Sequence, residues 1–299
     1  MNIVFTTGYR EEYWGDWPWS PRMYGGSEHL LIELACELAA EHDVFVRLPR
    51  RDVTSRMWRG VYWHGGRHPA HRADVLFSFD DFNPVDTAIR TVLVACRSDP
   101  PPHTDFDRLI FLSPTHARLM GHVDSPSIGG GVRLAEYEKE EARAPRRVIC
   151  TSSPDRCMTA PAIGRGFDFV HSYRSVPGLP PTIELDRGGL VRLQKTAQVY
   201  IYPLDPIRPS DFFSMATLEA MAAGTPAVVS DADSMQELWD GAAVVLPRPI
   251  DLAEWDETVS GLLDNKRRWN KQSRLGRLRA ADYDWSKVAQ RYLKEATGG

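Results

Sequence analysis

The sequence predicts an α/β protein with two domains, each built on a doubly wound sheet. Short apolar runs alternate with segments of helical spacing along most of the 299 residues. The runs are continuously apolar rather than alternating with polar residues, which is typical of parallel strands covered on both faces. One stretch rich in Gly, Pro and mixed charge, residues 124–147, separates two such series. We therefore expect two domains joined by a linker.

The first domain is predicted to span residues 1–130. "NIVFTTG", residues 2–8, has the pattern of a strand that ends in a glycine turn. The leucines of "GGSEHLLIELACELAAEH", residues 25–42, recur at helical spacing behind two glycines. Further strands are predicted at "DVFVRL", "VYWHG", "DVLFSFD", "TVLVAC" and "DRLIFLS". This order of elements predicts a Rossmann-like domain.

The second domain is predicted to span residues 131–283 and to repeat the alternation. Its strands are predicted at "VICTSS", "FDFVHSY", "VYIYPL", "PAVVSD" and "AAVVLP". Helices are predicted at "GGLVRLQKTA", "SDFFSMATLEAMAAGTP" and "SMQELWD", with Gly224 as the C-terminal cap of the second. The last segment, residues 284–299, is predicted as a helix with Trp285, Val288, Tyr292 and Leu293 near one face. We expect that face to pack back on the first domain.

The composition excludes several classes of protein. The formal charge of −4 gives no overall basic field for nucleic acid. The four cysteines, Cys36, Cys96, Cys150 and Cys157, form neither a disulfide framework nor a C-x-x-C metal motif. The first residues, "MNIVFTTGYR", lack the basic start of a signal peptide, and no apolar run reaches membrane-spanning length. We therefore expect a cytoplasmic protein without a transmembrane segment.

Two segments are basic despite the acidic total. Residues 47–72 hold seven arginines against one acid, and residues 266–279 hold seven basic residues and no acid. Either segment is a solvated face or a surface for an anionic partner such as lipid headgroups, a phosphorylated acceptor or nucleic acid. Peripheral contact with a membrane is one form of the second alternative.

Candidate chemistry lies at four turns that follow strands, where ligands of doubly wound sheets bind. In "YGGSE", Gly25 and Gly26 let backbone amides approach an anion at a helix start. In "TSSPDR", Arg156 offers a fork for a diphosphate. In "SDFFSMATLEAMAAGTP", Asp211 and Glu219 stand eight positions apart around a helix start. "SDADSMQEL" is a polar turn after another strand. Each feature also has a plain alternative as a glycine turn or a solvent-facing charge.

Three histidines at short spacing raise the possibility of a metal site. His64, His68 and His71 lie in "HGGRHPAH". Gly-Gly and Pro between them argue against a helix that would align the rings, and no cysteine or nearby carboxylate completes a ligand set. We therefore predict no metal site.

Together these segments resemble family 4 of the retaining glycosyltransferases, which have the GT-B fold. "DFFSMATLEAMAAGTPAVVSD" is similar to the family's E-x7-E signature, with Asp in place of the first Glu. "GGSEHLLIELACELA" resembles its glycine loop and following helix, and "SPSIGGGVRLAEYEK" its interdomain linker. "VICTSSPDR" and "YDWSKVAQRYLKEA" resemble the first strand of its donor domain and its terminal helix. The resemblance runs nearly end to end.

The resemblance implies two Rossmann-like domains and transfer of a sugar from a nucleoside diphosphate to an acceptor hydroxyl, with retention of anomeric configuration. Glu219 would hold the ribose hydroxyls, Asp211 the sugar hydroxyls and Arg156 the diphosphate. Other implied site residues are Phe213, Ser214, Gly25, Gly26 and Ser153 on the donor, Lys195 as a distant candidate for the family's phosphate lysine, and Asp99 and His103 after a late strand of the first domain. Neither a metal nor a cofactor is implied.

The departures from the family pattern leave alternatives open. About fifty residues separate "VICTSS" from "VYIYPL", fewer than the family has there, so we expect a trimmed C-terminal donor domain. The Asp at 211 and the missing lysine favour a degenerate protein that binds nucleotide or glycan without turnover. The third hypothesis is an unrelated α/β nucleotide-binding or phosphosugar-binding protein. The sequence leaves the nucleotide, the sugar and the acceptor open.

Overall fold

The protein divides into two compact α/β units. The structure is a computed structural model that describes residues 1–8, 25–48, 55–66, 72–82, 84, 86–101, 105–205 and 210–298. Of these, unit 1 takes the residues up to Gly131 and those from Trp285 onward, and unit 2 takes Val132 to Asp284. The sequence prediction placed these two boundaries at 130/131 and 283/284.

Unit 1 is built on a largely parallel sheet. Its elements are β1 (Asn2–Thr7), α1 (Gly26–Leu38), β2 (Asp43–Leu48), β3 (Arg56–Trp58), β4 (Val61–Gly65), β5 (Arg72–Phe79), β6 (Thr87–Val94), β7 (Arg108–Ile110) and α2 (Pro114–Leu119). The strand order is β3-β4-β2-β1-β5-β6-β7, and only β3 pairs antiparallel, in a hairpin with β4. In the central strand β1, the apolar residues Ile3, Val4 and Phe5 are all fully buried, as a sheet covered on both faces requires.

Unit 2 contains a parallel sheet of the order β12-β11-β10-β8-β9. Its strands are β8 (Arg147–Cys150), β9 (Asp168–His171), β10 (Val199–Tyr202), β11 (Ala227–Ser230) and β12 (Val244–Leu246). Its helices are α3 (Ala160–Ile163), α4 (Arg187–Thr196), α5 (Met215–Ala222), α6 (Met235–Trp239), α7 (Leu252–Asp264) and α8 (Lys266–Ala281). The direction of winding reverses between β8 and β10, so the loops after these two strands lie side by side.

The final helix, α9 (Trp285–Thr297), belongs to unit 1. Trp285, Val288 and Tyr292 are buried on one face, against α1 and β6 among others. The Tyr292 hydroxyl donates to the Ile128 carbonyl at 2.7 Å, which satisfies the one polar atom of that side chain. A spacing of three and four residues places these side chains on the same helical stripe.

The prediction of two parallel-sheet α/β units is confirmed. Three local differences follow from tertiary contacts. The short β3 was not predicted, because a three-residue strand is stabilised only by its hairpin partner. The strand β6 begins at Thr87, four residues before the apolar run predicted from Thr91. The long helical C-terminal segment is three helices, with α8 capped at its start by the Asn265 side chain, which accepts from the Arg268 amide at 3.0 Å.

Candidate active site

The candidate site lies in unit 2, where the loops after β8 and β10 meet. The Asp205 amide, after β10, donates to the Arg156 carbonyl, after β8, at 3.1 Å. The Arg156 Nη1 atom lies 3.8 Å from Asp211 Oδ2. The Asp211 side chain is 11% exposed and that of Arg156 is 38% exposed, so the pair has one buried and one solvent-facing member. The strand order of the sheet thus brings together two residues that the sequence separates by more than fifty positions.

Asp211 is held by two further donors. Its Oδ2 accepts from the Tyr202 hydroxyl at 2.6 Å, and its Oδ1 accepts from the Phe213 amide at 3.1 Å. Burial raises the pKa of the Asp211 carboxyl, and the Arg156 charge and the Tyr202 hydrogen bond oppose that rise. Each carboxylate oxygen keeps a lone pair beyond these bonds, so the carboxylate can still accept from a ligand hydroxyl.

Arg156 stays charged in this setting. Burial lowers its pKa, but the Asp211 carboxylate and the Tyr202 hydroxyl outweigh burial and raise the pKa above its usual value. A fixed guanidinium with a solvent-facing side suits a phosphate or diphosphate, because its planar N–H groups match the oxygen geometry.

The start of α5 faces the same loop. The Ser214 side chain caps the helix by accepting from the Thr217 amide at 3.2 Å, and the first turn contains no acidic residue. The first-turn amides and the helix dipole therefore favour an anion at this end. Phe213, just before the cap, is buried against Trp239 and Tyr283, with ring centroids 5.3 and 5.4 Å away. This packing fixes the direction from which the loop enters the helix.

Asp233 holds the loop in place, and sequence analysis did not single it out. Its Oδ2 atom accepts from the amides of Ser210 and Asp211 at 2.9 and 3.0 Å. Its own backbone has a φ of 50°, in the left-handed region that Asp tolerates better than most residues. The signal was present in the polar turn "SDADSMQEL", but nothing in that turn shows which backbone its carboxylate would meet.

Glu219, in the second turn of α5, is buried within a polar network. Arg187 donates to its Oε1, and the Gln194 amide donates to its Oε2 at 3.1 Å. Arg187 also donates to Glu136 Oε2 at 2.5 Å, and the Tyr137 hydroxyl donates to Gln194 Oε1 at 2.7 Å. Burial lowers the pKa of Arg187, but nearby negative charges, of which Glu219 has the largest effect, raise it above its usual value. Arg187, the first residue of α4, is a member of the candidate site that sequence analysis missed.

The other predicted donor residues lie in different surroundings. Ser153 follows β8, where its carbonyl accepts from the Arg156 amide at 3.0 Å and its hydroxyl bonds to Asp155. Gly25 and Gly26 lie in unit 1, where Gly25 precedes α1 and a side chain there would meet the Glu28 carboxylate. Asp99 is exposed after β6 of unit 1, and His103 lies outside the described residues.

Lys195 is not brought to Arg156 and Asp211. It lies in the last turn of α4, and its ammonium pairs with Glu141 Oε1 at 3.2 Å. The helix α4 leads into β10, so its last turn is at the amino edge of the sheet, whereas Arg156 and Asp211 follow the carboxyl ends of β8 and β10. In this structure Lys195 is therefore not placed next to Arg156, and its assignment to the phosphate group has no support from the topology.

The structure describes one of the three histidines that the sequence places at short spacing. His64 is fully buried and bonds through Nδ1 to the Gly65 carbonyl at 3.3 Å, while His68 and His71 lie outside the described residues. In the part of the chain that the structure describes, no group of three His, Cys, Asp or Glu could hold a metal ion.

Arg47 is the buried member among the described arginines of residues 47–72, and it therefore does not contribute to a basic surface. It is buried, and its Nε and Nη2 donate to Asp86 at 2.6 and 2.7 Å. Arg59 pairs with Glu33. Arg56, Arg59 and Arg72 are exposed, and Arg50, Arg51 and Arg67 lie outside the described residues. Arg47 is on a buried strand, where a charge is stable only when paired.

A comparison with protein families matches this region of unit 2, and two curated proteins match part of the chain. The family profile described as "Glycosyl transferases group 1" matches residues 183–265, which include Arg187, Asp211 and Glu219. The chain is 38% identical over 80 residues to the MMP alpha-(1->4)-mannosyltransferase of Mycolicibacterium hassiacum, across 26% of this chain and 20% of that protein. It is 26% identical over 106 residues to the D-inositol 3-phosphate glycosyltransferase of Nocardia farcinica, across 35% and 23%. The matched segments thus span about a fifth of these two curated relatives.

Solved structures cover the whole chain. AviGT4, a glycosyltransferase involved in avilamycin A biosynthesis, superposes with a TM-score of 0.73 at 16% identity, across 99% of this chain and 97% of that one. The sucrose-phosphate synthase of Thermosynechococcus elongatus has a TM-score of 0.71 at 13% identity, with both chains fully covered. HepE from Anabaena, solved with UDP-glucose, has a TM-score of 0.69 at 13% identity, again over both whole chains. The fold is GT-B. Among the described residues, no helix is long and apolar enough to cross a membrane.

Proposed function

We propose that this protein is a retaining glycosyltransferase that moves a sugar, of the hexosyl type, from a nucleoside-diphosphate donor to an acceptor hydroxyl. The observation that carries the proposal is the match of residues 183–265, which contain both acids, to the glycosyl transferases group 1. The names of the two curated relatives and the UDP-glucose bound to HepE support sugar transfer from a nucleotide sugar. The resemblance to family 4 supports retention.

In this proposal Arg156 and the start of α5 hold the diphosphate. Negative charge grows on the leaving diphosphate as the bond to the sugar breaks, so a fixed cation and oriented amides stabilise the transition state more than the ground state. Arg156 is already fixed by Asp211 at 3.8 Å, which reduces the reorganisation needed during the reaction. These groups would do the work that a metal ion does in other transferases, so we propose no bound metal and no cofactor.

The two acids would divide the rest of the donor between them. Asp211 would accept from sugar hydroxyls, with Asp233 holding its backbone at 2.9 and 3.0 Å. An Asp carboxylate is one methylene closer to the backbone than a Glu carboxylate. For Asp211 to reach the sugar, the loop that carries it has to lie closer to the sugar than it would with Glu. Glu219, which already accepts from Arg187 and Gln194, would accept from the ribose hydroxyls.

A second candidate is a GT-B protein that binds nucleotide without turnover. It is favoured by the engagement of both Glu219 oxygens by protein donors and by the pairing of Lys195 with Glu141 away from the site. The acceptor stays open in both cases. An anionic acceptor and a cytoplasmic location are further predictions that rest on the sequence.

The test is a panel of nucleotide sugars, scored without added metal by the shift in melting temperature and then by transfer or hydrolysis of the best binder. NMR of the first-formed product gives the anomeric configuration. Arg156→Ala should lower turnover at saturation by more than it lowers donor affinity. Arg165→Ala, which removes an exposed arginine elsewhere in unit 2, is the matched control and should leave both unchanged.

The outcomes separate the hypotheses. Binding with turnover supports the transferase, and binding without turnover on any sugar supports the second candidate. Stabilisation by NAD, with none by UDP or GDP sugars, overturns both. A variant Arg156→Ala that keeps its turnover and loses only donor affinity removes Arg156 from the proposed transition-state role.

A further inference from the structure

Unit 2 contains a concave feature that Arg156 and Asp211 do not line. It is a cavity of about 590 Å³, within the size range of sites for small molecules. Its walls come from the segment before β8, the last turn of α4, the end of α5 at Ala223 and one side of α8. Helices that lead into parallel strands end at the amino edge of the sheet. The cavity is therefore at the opposite edge from Arg156 and Asp211.

The charge of the cavity wall is strongly positive. Five cationic side chains face two carboxylates; the cations are Lys139, Arg143, Lys195, Arg274 and Arg277, and the carboxylates are Glu140 and Glu141. Two of the cations are neutralised. Lys195 pairs with Glu141 at 3.2 Å, and Arg277 pairs with Glu140 at 3.3 Å. A surplus of three positive charges is left on the wall.

Two of the surplus cations have donors to spare. Lys139 and Arg274 are exposed, and neither has an ion pair or a hydrogen bond to any other described residue. Arginine and lysine without carboxylate partners, gathered around one cavity, repel one another, and an anion between them removes that repulsion. The sequence segment 266–279, whose basic residues had no assigned role, supplies Arg274 and Arg277 to this wall.

Arg143 forms the back of the cavity. It donates to the carbonyls of Ala197 and Ala223 at 2.6 and 2.7 Å, and its guanidinium carbon lies 5.2 Å from the centre of the Trp269 ring. Its hydrogen bonds go to neutral oxygens, so its charge is not cancelled by them. Burial foremost, and the charge of Arg277 next, lower the pKa of Arg143 to about 10. A buried guanidinium next to another positive charge is stabilised by an anion close to it.

We propose that this cavity binds a small phosphorylated compound, whose phosphate is held by Lys139 and Arg274 in front of Arg143. Phosphate fits better than a carboxylate, because three positive charges around one group suit a ligand of charge about −2. The indole of Trp269 and the side chain of Leu278 line the same space and offer an apolar surface to the organic part. The phosphate could belong to a free compound or to a lipid headgroup, and we assign it to a free compound because the cavity is concave and of small-molecule size.

The test measures binding rather than activity, because the cavity wall connects with the other site. Tyr137 lines the cavity and bonds to Gln194, which bonds to Glu219, so a change in activity would not show where a ligand sits. The probe is inorganic tripolyphosphate, titrated into the full chain by calorimetry at low and at physiological salt. We expect a binding event that persists in Arg156→Ala, since Arg156 belongs to the opposite edge of the sheet, beside any weaker event that this variant removes.

The decisive variant is Lys139→Ala/Arg274→Ala. It should weaken tripolyphosphate binding at least tenfold without changing the melting temperature, since both side chains are exposed and unpaired among the described residues. The matched control, Arg267→Ala/Lys271→Ala, removes the same charge from exposed positions of α8 that do not line the cavity. It should keep the parental affinity.

Three results overturn the proposal. Equal losses in both double variants mean a diffuse basic surface, and loss of binding in Arg156→Ala alone means that the probe occupies the other site. Binding to vesicles of anionic phospholipid, together with no binding of tripolyphosphate, removes the small-compound assignment. None of these measurements uses a nucleotide sugar, so their outcome is independent of whether the proposed transferase activity is found.

Discussion

Each unit is built on its own parallel sheet, and one ion pair of unit 1 differs in exposure from the pairs of the candidate site. Other pairs of unit 1, such as Arg97–Asp80, do have an exposed cation. In the Arg47–Asp86 pair of unit 1 both side chains are buried, with exposed fractions of 8% and 0%. We call a pair with two buried members a closed pair. In unit 2 the side chains of the acids Asp211 and Glu219 are 11% and 7% exposed, whereas those of their partners Arg156 and Arg187 are 38% and 32% exposed. A pair closed on both sides serves only the fold. A buried carboxylate whose cation reaches solvent can exchange part of that contact for a ligand.

Loss of α9 should have the largest effect on stability, and it tests whether unit 1 depends on this helix for its fold. Trp285, Val288 and Tyr292 are almost completely buried there. Removal of one large buried aromatic side chain costs about 3–5 kcal/mol, and a domain has about 5–15 kcal/mol in total. Deletion of residues 284–299 should therefore abolish cooperative folding of unit 1.

Thermal unfolding followed by calorimetry checks this prediction. A chain that lacks only residues 298–299 is the control and should melt like the parent. An unchanged melting temperature after the longer deletion would show that the terminal helix is dispensable.

The closed pair should show the next largest effect. Arg47→Met leaves Asp86 buried without its bidentate partner, which costs about 3–5 kcal/mol of unfolding free energy. Replacing both residues, as in Arg47→Met/Asp86→Leu, should recover much of that loss because no buried charge remains. Urea denaturation measures all three proteins. Arg72→Met, at an exposed position of β5, is the control and should change stability little. Equal stability of Arg47→Met and the parent contradicts the structural role given to this pair.

The open site in unit 2 should respond in catalysis rather than in stability. If the proposed function is correct, Asp211→Asn should reduce transfer about 10²–10³-fold, the size seen when one preorganised polar contact to the transition state is lost. Affinity for the free nucleotide should stay nearly intact, because Asp211 would contact the sugar. Asp211→Glu should also impair transfer, since the longer side chain has to fit between the Tyr202 hydroxyl and the Phe213 amide.

Steady-state kinetics and nucleotide titration separate these effects. Full activity in Asp211→Asn would reduce the residue to a charge at a helix start. Higher activity in Asp211→Glu would show that the site has drifted from the family pattern and would favour the second candidate.

The sequence predicts the two units and places Arg156 and Asp211 in turns that follow strands, because both inferences rest on general rules. Continuous apolar strands predict a covered parallel sheet, and ligand groups gather after the carboxyl ends of its strands. Such rules do not predict the roles of Arg187 and Asp233. Their partners depend on how particular loops fold, and neither residue is part of a pattern with a fixed spacing.

The positions of two charged residues, Arg47 and Lys195, could have been inferred with the same physics. Arg47 lies inside the apolar run "DVFVRL", where a buried strand requires its charge to be paired. Lys195 lies at the end of a helix that precedes a strand, and such a residue faces the amino edge of the sheet. In both cases the charge of the side chain suggested a function, and its place in the element already argued against it.

His116 offers a smaller effect, and it shows how unit 1 handles a titratable group. The ring is fully buried; Nε2 contacts the Arg97 carbonyl at 2.8 Å, and Nδ1 accepts from the Leu112 amide at 3.3 Å. This geometry requires the neutral ring. Burial lowers the pKa of His116 from 6.5 to about 4, so its contribution to stability is present above pH 6.5 and is lost as the pH falls from 6.5 towards 4.

At pH 5 the loss should be about 2 kcal/mol of unfolding free energy. Urea denaturation across pH 4.5–7.5 measures it, and His116→Gln should remove this part of the pH dependence. His42→Gln, at a half-buried position of the same unit, is the control and should keep the parental slope. If the slope survives in His116→Gln, the group responsible is another one.

Glu219→Gln should give the smallest effect and the sharpest division between structural and ligand-binding roles. The amide keeps the size of the side chain and its oxygen, and Arg187 keeps its contact with Glu136 at 2.5 Å, so the fold should be little changed. The loss of a charge-assisted bond to ribose should weaken UDP or GDP binding about tenfold, or about 1.4 kcal/mol. Glu136→Gln is the matched control, because it removes the other carboxylate from the same arginine. If Glu219 contacts the nucleotide, calorimetry shows the loss in Glu219→Gln alone. Equal losses in both variants would mean that the acid acts only through Arg187, and the pair would then have a structural role like that of Arg47–Asp86 in unit 1.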